Sequence, residues 1–224
     1  IAGTTTLTTS ANDATIALDT TTNAFTGAVT ITTNDNSGTD ADVTIDGGTT
    51  ALTLAASTID GDLTVRSGNA SGITDSGTVT VGGNLAATTD ANNGVINLGT
   101  LAVNGTIALA TNGSGNATVV NDAGLDFAAS TVGGTLSATA TTGNIADSGA
   151  LTIAGAATFI TGVDGSDIIL DSSANAFSGS VTFQADAGNE TFGNITFVDS
   201  GAVDIDSSIS SGETNTTADV TERS

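Results

Sequence analysis

Ile-Ala-Leu-Asp-Thr-Thr-Thr-Asn-Ala-Phe-Thr-Gly-Ala-Val-Thr-Ile occupies residues 16–31, and the stretch returns at 168–183 as Ile-Ile-Leu-Asp-Ser-Ser-Ala-Asn-Ala-Phe-Ser-Gly-Ser-Val-Thr-Phe. The exchanges are Thr for Ser, Ile for Phe, or Ala for another small residue, apart from Ala17, whose counterpart is Ile169. A recurrence of this kind marks a repeat protein, and a repeat decides the architecture before any other signal. Working outward from it, the chain is a run of short apolar–small–apolar units. Examples are Val29/Ile31, Val43/Ile45, Leu52/Leu54, Leu63/Val65, Val79/Val81, Ile107/Leu109, Leu151/Ile153 and Ile195/Phe197. The middle residue is often Thr. Alternation with β-branched residues is the strand pattern, and no window keeps the i, i+3, i+4, i+7 spacing of a helix.

Turn-formers separate the units: Gly47–Gly48, Gly82–Gly83, Asn92–Asn93–Gly94, Asn104–Gly105, Asn112–Gly113 and Gly133–Gly134. Gly and Asn tolerate the positive φ of tight corners. A second repeated segment reads Ile-Thr-Asp-Ser-Gly-Thr-Val-Thr-Val at 73–81, Ile-Ala-Asp-Ser-Gly-Ala-Leu-Thr-Ile at 145–153 and Phe-Val-Asp-Ser-Gly-Ala-Val-Asp-Ile at 197–205. We read Asp-Ser-Gly as a corner and the next apolar pair as a strand. The offsets of 72 and 52 residues then fit whole numbers of coils of roughly 22–26 residues, the size of a solenoid coil with two or three strands. The fold expected is all-β: a right-handed parallel β-helix over 1–205, followed by a polar tail, linker or assembly strand at 206–224. Strand spacing alone also allows an antiparallel β-sandwich filament subunit.

These segments resemble the repetitive passenger region of filamentous-haemagglutinin-type exoproteins, the large bacterial β-solenoid adhesins. The resemblance rests on Asn23-Ala24-Phe25-Thr26-Gly27-Ala28-Val29, its twin at Asn175–Val181 and the Asp-Ser-Gly segments, and covers most of residues 14–205. It implies secretion across an outer membrane and a role in adhesion or surface architecture. The family's secretion domain usually carries Asn-Pro signatures. This chain has no Pro, so it would correspond to passenger alone.

Composition narrows the chemistry. The chain has no Cys, His, Lys, Met, Trp, Tyr or Pro. Without His or Cys, nucleophilic catalysis by a Ser–His–Asp or Cys–His arrangement is ruled out, and a zinc site has no support. Asp pairs leave a polysaccharide-acting β-helix enzyme as an alternative, but such a site needs groups that grip sugars, and Arg66 is the only base inside the repeats. We therefore expect no enzyme, no catalytic residues and no cofactor. Net charge is −22, from 24 acidic residues against Arg66 and Arg223. That excludes nucleic acid, which needs clustered Lys and Arg, and attachment to anionic lipid through a basic face. No stretch approaches the ~20 apolar residues of a transmembrane helix. Because the chain opens on Ile1, we expect a processed product or a piece of something longer.

Calcium is the metal the residues would hold most readily, through Asp35, Asp40 and Asp42 or through Asp164 with Asp167. Neither set matches an EF-hand loop or a calcium-roll repeat, and we read both as solvated turn residues that hold cations weakly at most. Asn-x-Ser/Thr triplets at Asn69, Asn104, Asn112, Asn116, Asn189, Asn194 and Asn215 are close to the number chance gives. Asn23 and Asn175 should hydrogen-bond along the axis at a corner, with Phe25 and Phe177 filling the core beneath. Thr4–Thr6 and Thr20–Thr22 raise ice binding, but Thr-x-Thr does not recur on every coil.

About nine coils at ~4.8 Å each would make a rod ~45 Å long. Its charge, roughly one per 2 Å, is near the density that condenses counterions on DNA. The expected partners are the molecule itself or adjacent repeats of a longer chain, and a host-cell or biofilm surface. The expected role is a stiff, non-enzymatic structural or adhesive module, extracellular, on a bacterial cell surface. A strand-exchanging filament subunit is the structural alternative.

Overall fold

A computed structural model describes residues 1–34, 41–185, 192–202, 205 and 220–223, the last four by backbone only. All named segments of regular structure are strands, and every pairing between them is parallel. They form two sheets of 11 and 13 strands, each ordered along the chain from coil to coil. This is a parallel β-solenoid; the antiparallel sandwich is excluded, because two-residue hairpins cannot join parallel neighbours. Eight ladder steps in the first sheet, from Thr5–Thr8 to Val181–Gln184, make about eight turns. Across both sheets the steps range from 19 residues (Ala117 to Leu136) to 27 (Ile16 to Val43), a wider spread than the 22–26 expected from sequence.

Alternation along each strand sends every second side chain inward. Val29, Ile31, Val43, Ile45, Leu63, Val65, Leu98, Phe159 and Leu170 are among the fully buried residues of one continuous core. Each such side chain stabilises the fold by roughly 1.5–3 kcal/mol relative to exposure. The C-terminal half adds an aromatic cluster. Phe159 packs on Phe127, Phe177 and Phe183 at centroid distances of 6.3, 6.1 and 5.9 Å, and Phe197 closes onto Phe177 and Phe183.

Several strands lie outside the apolar pairs read from the sequence, among them Thr5–Thr8, Ser57–Ile59, Ala117–Asn121, Ser130–Val132, Leu136–Ala140 and Ala157–Thr161. Their inward positions hold small residues, such as Ala117, Ala138, Ala140, Ala157 and Ser130, all buried. A narrow solenoid interior accepts alanine opposite a larger side chain, so a pattern built on Val, Ile, Leu and Phe passes over these strands.

The recurring Asp-Ser-Gly segments require a correction. Ile73–Asp75 and Val79–Val81 belong to the first sheet, whereas Ile145–Asp147 and Leu151–Ile153 belong to the second. The 72-residue offset is therefore not a whole number of coils; one sequence serves both walls. Asp75 and Asp147 also end strands, and only the Ser-Gly that follows turns the chain. By contrast, the twins of the opening motif begin on strands of the same wall, Ile16–Leu18 and Ile168–Leu170, seven ladder steps apart in the second sheet. Matching then extends to residues 1–31 and 153–183, both beginning Ile-Ala-Gly, with 14 of 31 positions identical.

Corners bring successive coils into backbone contact. A Cβ on Gly27 would lie 2.3 Å from Gly3 O, and one on Gly179 2.4 Å from Gly155. Glycine is required at both because the coil before occupies the space. At the C-terminal end, Val220–Arg223 adds a parallel strand beside Ile195–Val198 within the same chain.

Candidate functional surface

The first sheet presents a continuous file of outward polar side chains. Thr53, Thr74, Asn97, Thr118, Ser137, Thr158 and Thr182 are ladder partners in succession. Their spacing is that of adjacent strands, about 4.8 Å. Thr53 and Thr74 join their hydroxyls at 3.2 Å. The file is one residue wide: the neighbouring outward positions read Val120, Thr139, Ile160 and Gln184. A flat threonine array of the kind that ice requires is thus not formed here. Thr20–Thr22 lie in a corner rather than on a strand. What this surface offers is a regular line of hydroxyl and amide groups.

The corner leading into the second sheet carries an acidic and amide ladder. Asp42 Oδ1 accepts from the Asp62 N–H at 2.8 Å, Asp62 from Asn84 at 2.6 Å, and Asn84 from Thr106 at 2.8 Å. Further along, Asn144 accepts from Asp167 at 2.8 Å and Asp167 from Asn194 at 2.6 Å. Each side chain precedes a strand and satisfies the backbone N–H one coil on. Two of the proposed calcium ligands, Asp42 and Asp167, are therefore rungs of this ladder; Asp35 and Asp40 lie outside the described residues. Among the described residues, no three carboxylates are grouped to hold a metal ion. Gly124 interrupts the ladder, and an open groove of about 500 Å³ lies there, with Asn104, Asp126 and Asn144 on its rim.

Asn69 and Asn112 donate side-chain amides to backbone carbonyls, and Asn116 accepts from Thr135 N–H. Asn104 and Asn194 are exposed, whereas Asn189 and Asn215 lie outside the described residues.

Inside the walls, polar side chains stand in where the backbone ladder breaks. Asn121 bonds both backbone groups of Val103, accepting at 2.8 Å and donating at 3.0 Å. Ser57 and Ser130 accept from Ile31 and Leu109 N–H and donate to the carbonyl two residues before. They share the sequence Ala-Ala-Ser-Thr followed by Ile or Val, at 55–59 and 128–132, a repeated signal that apolar periodicity does not display. Asn175 is fully buried; it accepts from Leu151 N–H at 2.8 Å and donates to Asp147 Oδ2 at 2.6 Å. Burial pushes the Asp147 carboxyl above the usual carboxylate range, against the hydrogen bonds from Asn175, Asp171 and Ser172 that favour its charged form. Asn23 instead donates to Leu18 O at 2.8 Å, within its own coil. The two asparagines thus differ, and only Asn175 bonds along the axis. Phe25 and Phe177 both lie buried in the core.

Arg66 and Asp90 form a bidentate pair on the outer face of the second sheet, and the hydrogen bond and charge of Asp90 raise the guanidinium pKa. Both side chains stay largely in solvent.

Fold and surface together define a repeat protein of the parallel β-solenoid class. The family model described as Repeats of unknown function (DUF5649) matches residues 1–32, 40–99 and 114–184, and the chain belongs to that family. No curated protein and no solved structure matches it. No helix among the described residues is long and apolar enough to cross a membrane.

Proposed function

We propose that this chain is a non-enzymatic structural and adhesive module: a stiff solenoid segment of a large bacterial surface exoprotein or filament of the filamentous-haemagglutinin type. The observation that carries the reading is the seven-rung file of Thr, Ser and Asn on an unbroken parallel ladder. A rigid, evenly spaced line of hydroxyls makes many weak contacts at once, and linked weak contacts gain avidity without any strong single site. Stiffness comes from coils that each stack on the last, with the core continuous between them. The net charge of −22 keeps such rods apart at low salt, so divalent cations should promote lateral association.

Several carboxylates support a passive role. Those of Asp42, Asp62 and Asp167 are spread along a corner and accept from backbone N–H groups, an arrangement that tethers coils rather than gathering acid and base on one substrate.

Two measurements test the proposal. Antibody against the chain should label the outside of intact cells, and the purified chain should bind host-cell or biofilm polysaccharide. Replacing Thr74, Thr118 and Thr158 with Val should reduce that binding while leaving the strand signal unchanged. Label confined to the cell interior, or binding indifferent to the three substitutions, would refute it.

A further inference from the structure

The wall that carries the threonine file is also the wall from which charge is missing. Among the described residues, the outward positions of the first sheet hold Thr, Ser, Asn, Gln and small or aliphatic residues, and none carries a charge. Asp75, the one carboxylate in these strands, ends its strand and takes the N–H groups of Gly99 and Thr100 at 3.0 and 2.6 Å. The second sheet differs, because Arg66, Asp90 and Asp126 stand within its strands. A chain with a net charge of −22 thus keeps one wall uncharged. Carboxylates return at the margin of that wall. Asp62 and Asp122 are exposed just past the strands Ser57–Ile59 and Ala117–Asn121.

A second file widens the wall over the N-terminal half. Thr8, Thr32, Thr58 and Thr80 are ladder partners in succession, and Ala102 ends the run. At Thr58 and Thr80 this file stands past the kinks at Ala55–Ala56 and Ser76–Gly77, beside Thr53 and Thr74 of the first. Thr8, Thr32 and Thr58 are exposed. Each hydroxyl both donates and accepts. Such a wall narrows its own choice of partner. A polyanion finds no cation on it and meets carboxylates at its margin, and a second copy would bring equally acidic margins of its own. An apolar partner would leave the hydroxyls unpaired. What fits is an uncharged chain whose own hydroxyls recur along its length. We propose that the first wall binds a neutral polysaccharide laid along the solenoid axis, with hydroxyls of both files bonding to it, and that acidic glycans are excluded by charge. This rests on the adhesive reading above and adds to it the class of glycan and the second row of contacts. Many weak bonds in a line sum to useful avidity without any one strong site.

The test measures binding of the full chain to immobilised polymers: mannan and a mixed-linkage β-glucan as neutral probes, alginate and hyaluronate as acidic ones. The neutral polymers should bind roughly tenfold more tightly than the acidic ones, and equally well at low and high salt. Thr58→Val with Thr80→Val should weaken neutral binding roughly threefold. Thr64→Val, an exposed position on the second sheet, should leave it unchanged. Thr58→Lys with Thr80→Lys should admit alginate at low salt, with the strand signal in circular dichroism preserved. Acidic polymers bound by the parent as tightly as neutral ones would overturn the proposal and leave the adhesive reading standing. No binding to any of the four would remove both. Neutral binding indifferent to Thr58 and Thr80 would overturn the second row, and a lysine variant that folds and still rejects alginate would overturn exclusion by charge. Sedimentation of the same proteins covers the other occupant: a dimer that the paired valines disperse would assign the wall to a second copy and overturn the glycan.

Discussion

Residues 1–31 and 153–183 share 14 of 31 positions and much of their backbone bonding, but one lies at an end of the stack and the other inside it. The same asparagine bonds within its own coil at 23 and across coils at 175. The same isoleucine is partly exposed at 16 and buried at 168. Sequence therefore sets the path of each coil, while the neighbouring coil sets what its residues contribute. In a solenoid, stability resides in the interfaces between repeats as much as in the repeats themselves.

The largest difference between the twins should appear in the core. Phe159→Ala removes the ring at the centre of the aromatic cluster and should cost about 3–5 kcal/mol in urea unfolding. Leu7→Ala, at the matching position of the partly covered first strand, should cost less than half as much. Equal losses would mean that the end coil is as well packed as the interior.

Next in size is the asparagine pair. Asn175→Ala leaves Leu151 N–H buried without its acceptor and removes a donor from Asp147, a loss of about 1–3 kcal/mol. Asn23→Ala should cost well under half of that, since only the contact with Leu18 O disappears. Thermal unfolding of both variants beside the parent decides the matter.

These contrasts also mark what the sequence made legible. The repeat of 16–31 at 168–183 and the apolar dyads were enough for strands, coils and a buried dyad on most rungs. The walls were not legible, because the Asp-Ser-Gly segments at 73–81 and 145–153 are nearly alike and still lie on opposite sheets. Strands whose inward residue is alanine, such as Ala117–Asn121, were hidden because alanine reads as a spacer when neighbours are unknown. The threonine file was invisible for a related reason. Thr74, Asn97 and Thr118 become neighbours only once the steps of 23 and 21 residues are known. Asp42 and Asp167 looked like loosely held cation ligands, and their ladder role appears only with the coils stacked.

A smaller effect concerns pH. Burial raises the folded-state pKa of Asp147 above its unfolded value, so folding favours the protonated form. Its contribution is full below the ordinary carboxylate pKa and is lost as pH rises through the raised one. Asp147→Asn, which cannot ionise, should therefore lose less stability than the parent between about pH 4 and pH 7, whatever its absolute stability. Parallel slopes for the two proteins would show that the carboxyl titrates as if in water.

The smallest expected effect is that of Arg66→Gln. The pair with Asp90 is exposed, and such pairs are worth about 0–1 kcal/mol. A loss beyond that would point to the Arg66 stem packing across the second sheet.

The parallel stack itself is most directly tested by distance. The chain has no cysteine, so pairs of spin labels can be placed at chosen rungs of the threonine file. Electron–electron double resonance between Thr74 and Ser137, three steps apart, should give about 14 Å, and between Thr53 and Thr182, six steps apart, about 29 Å. Separations that grow by one constant increment per rung are the expected result. Separations that rise and fall along the file would contradict the stack.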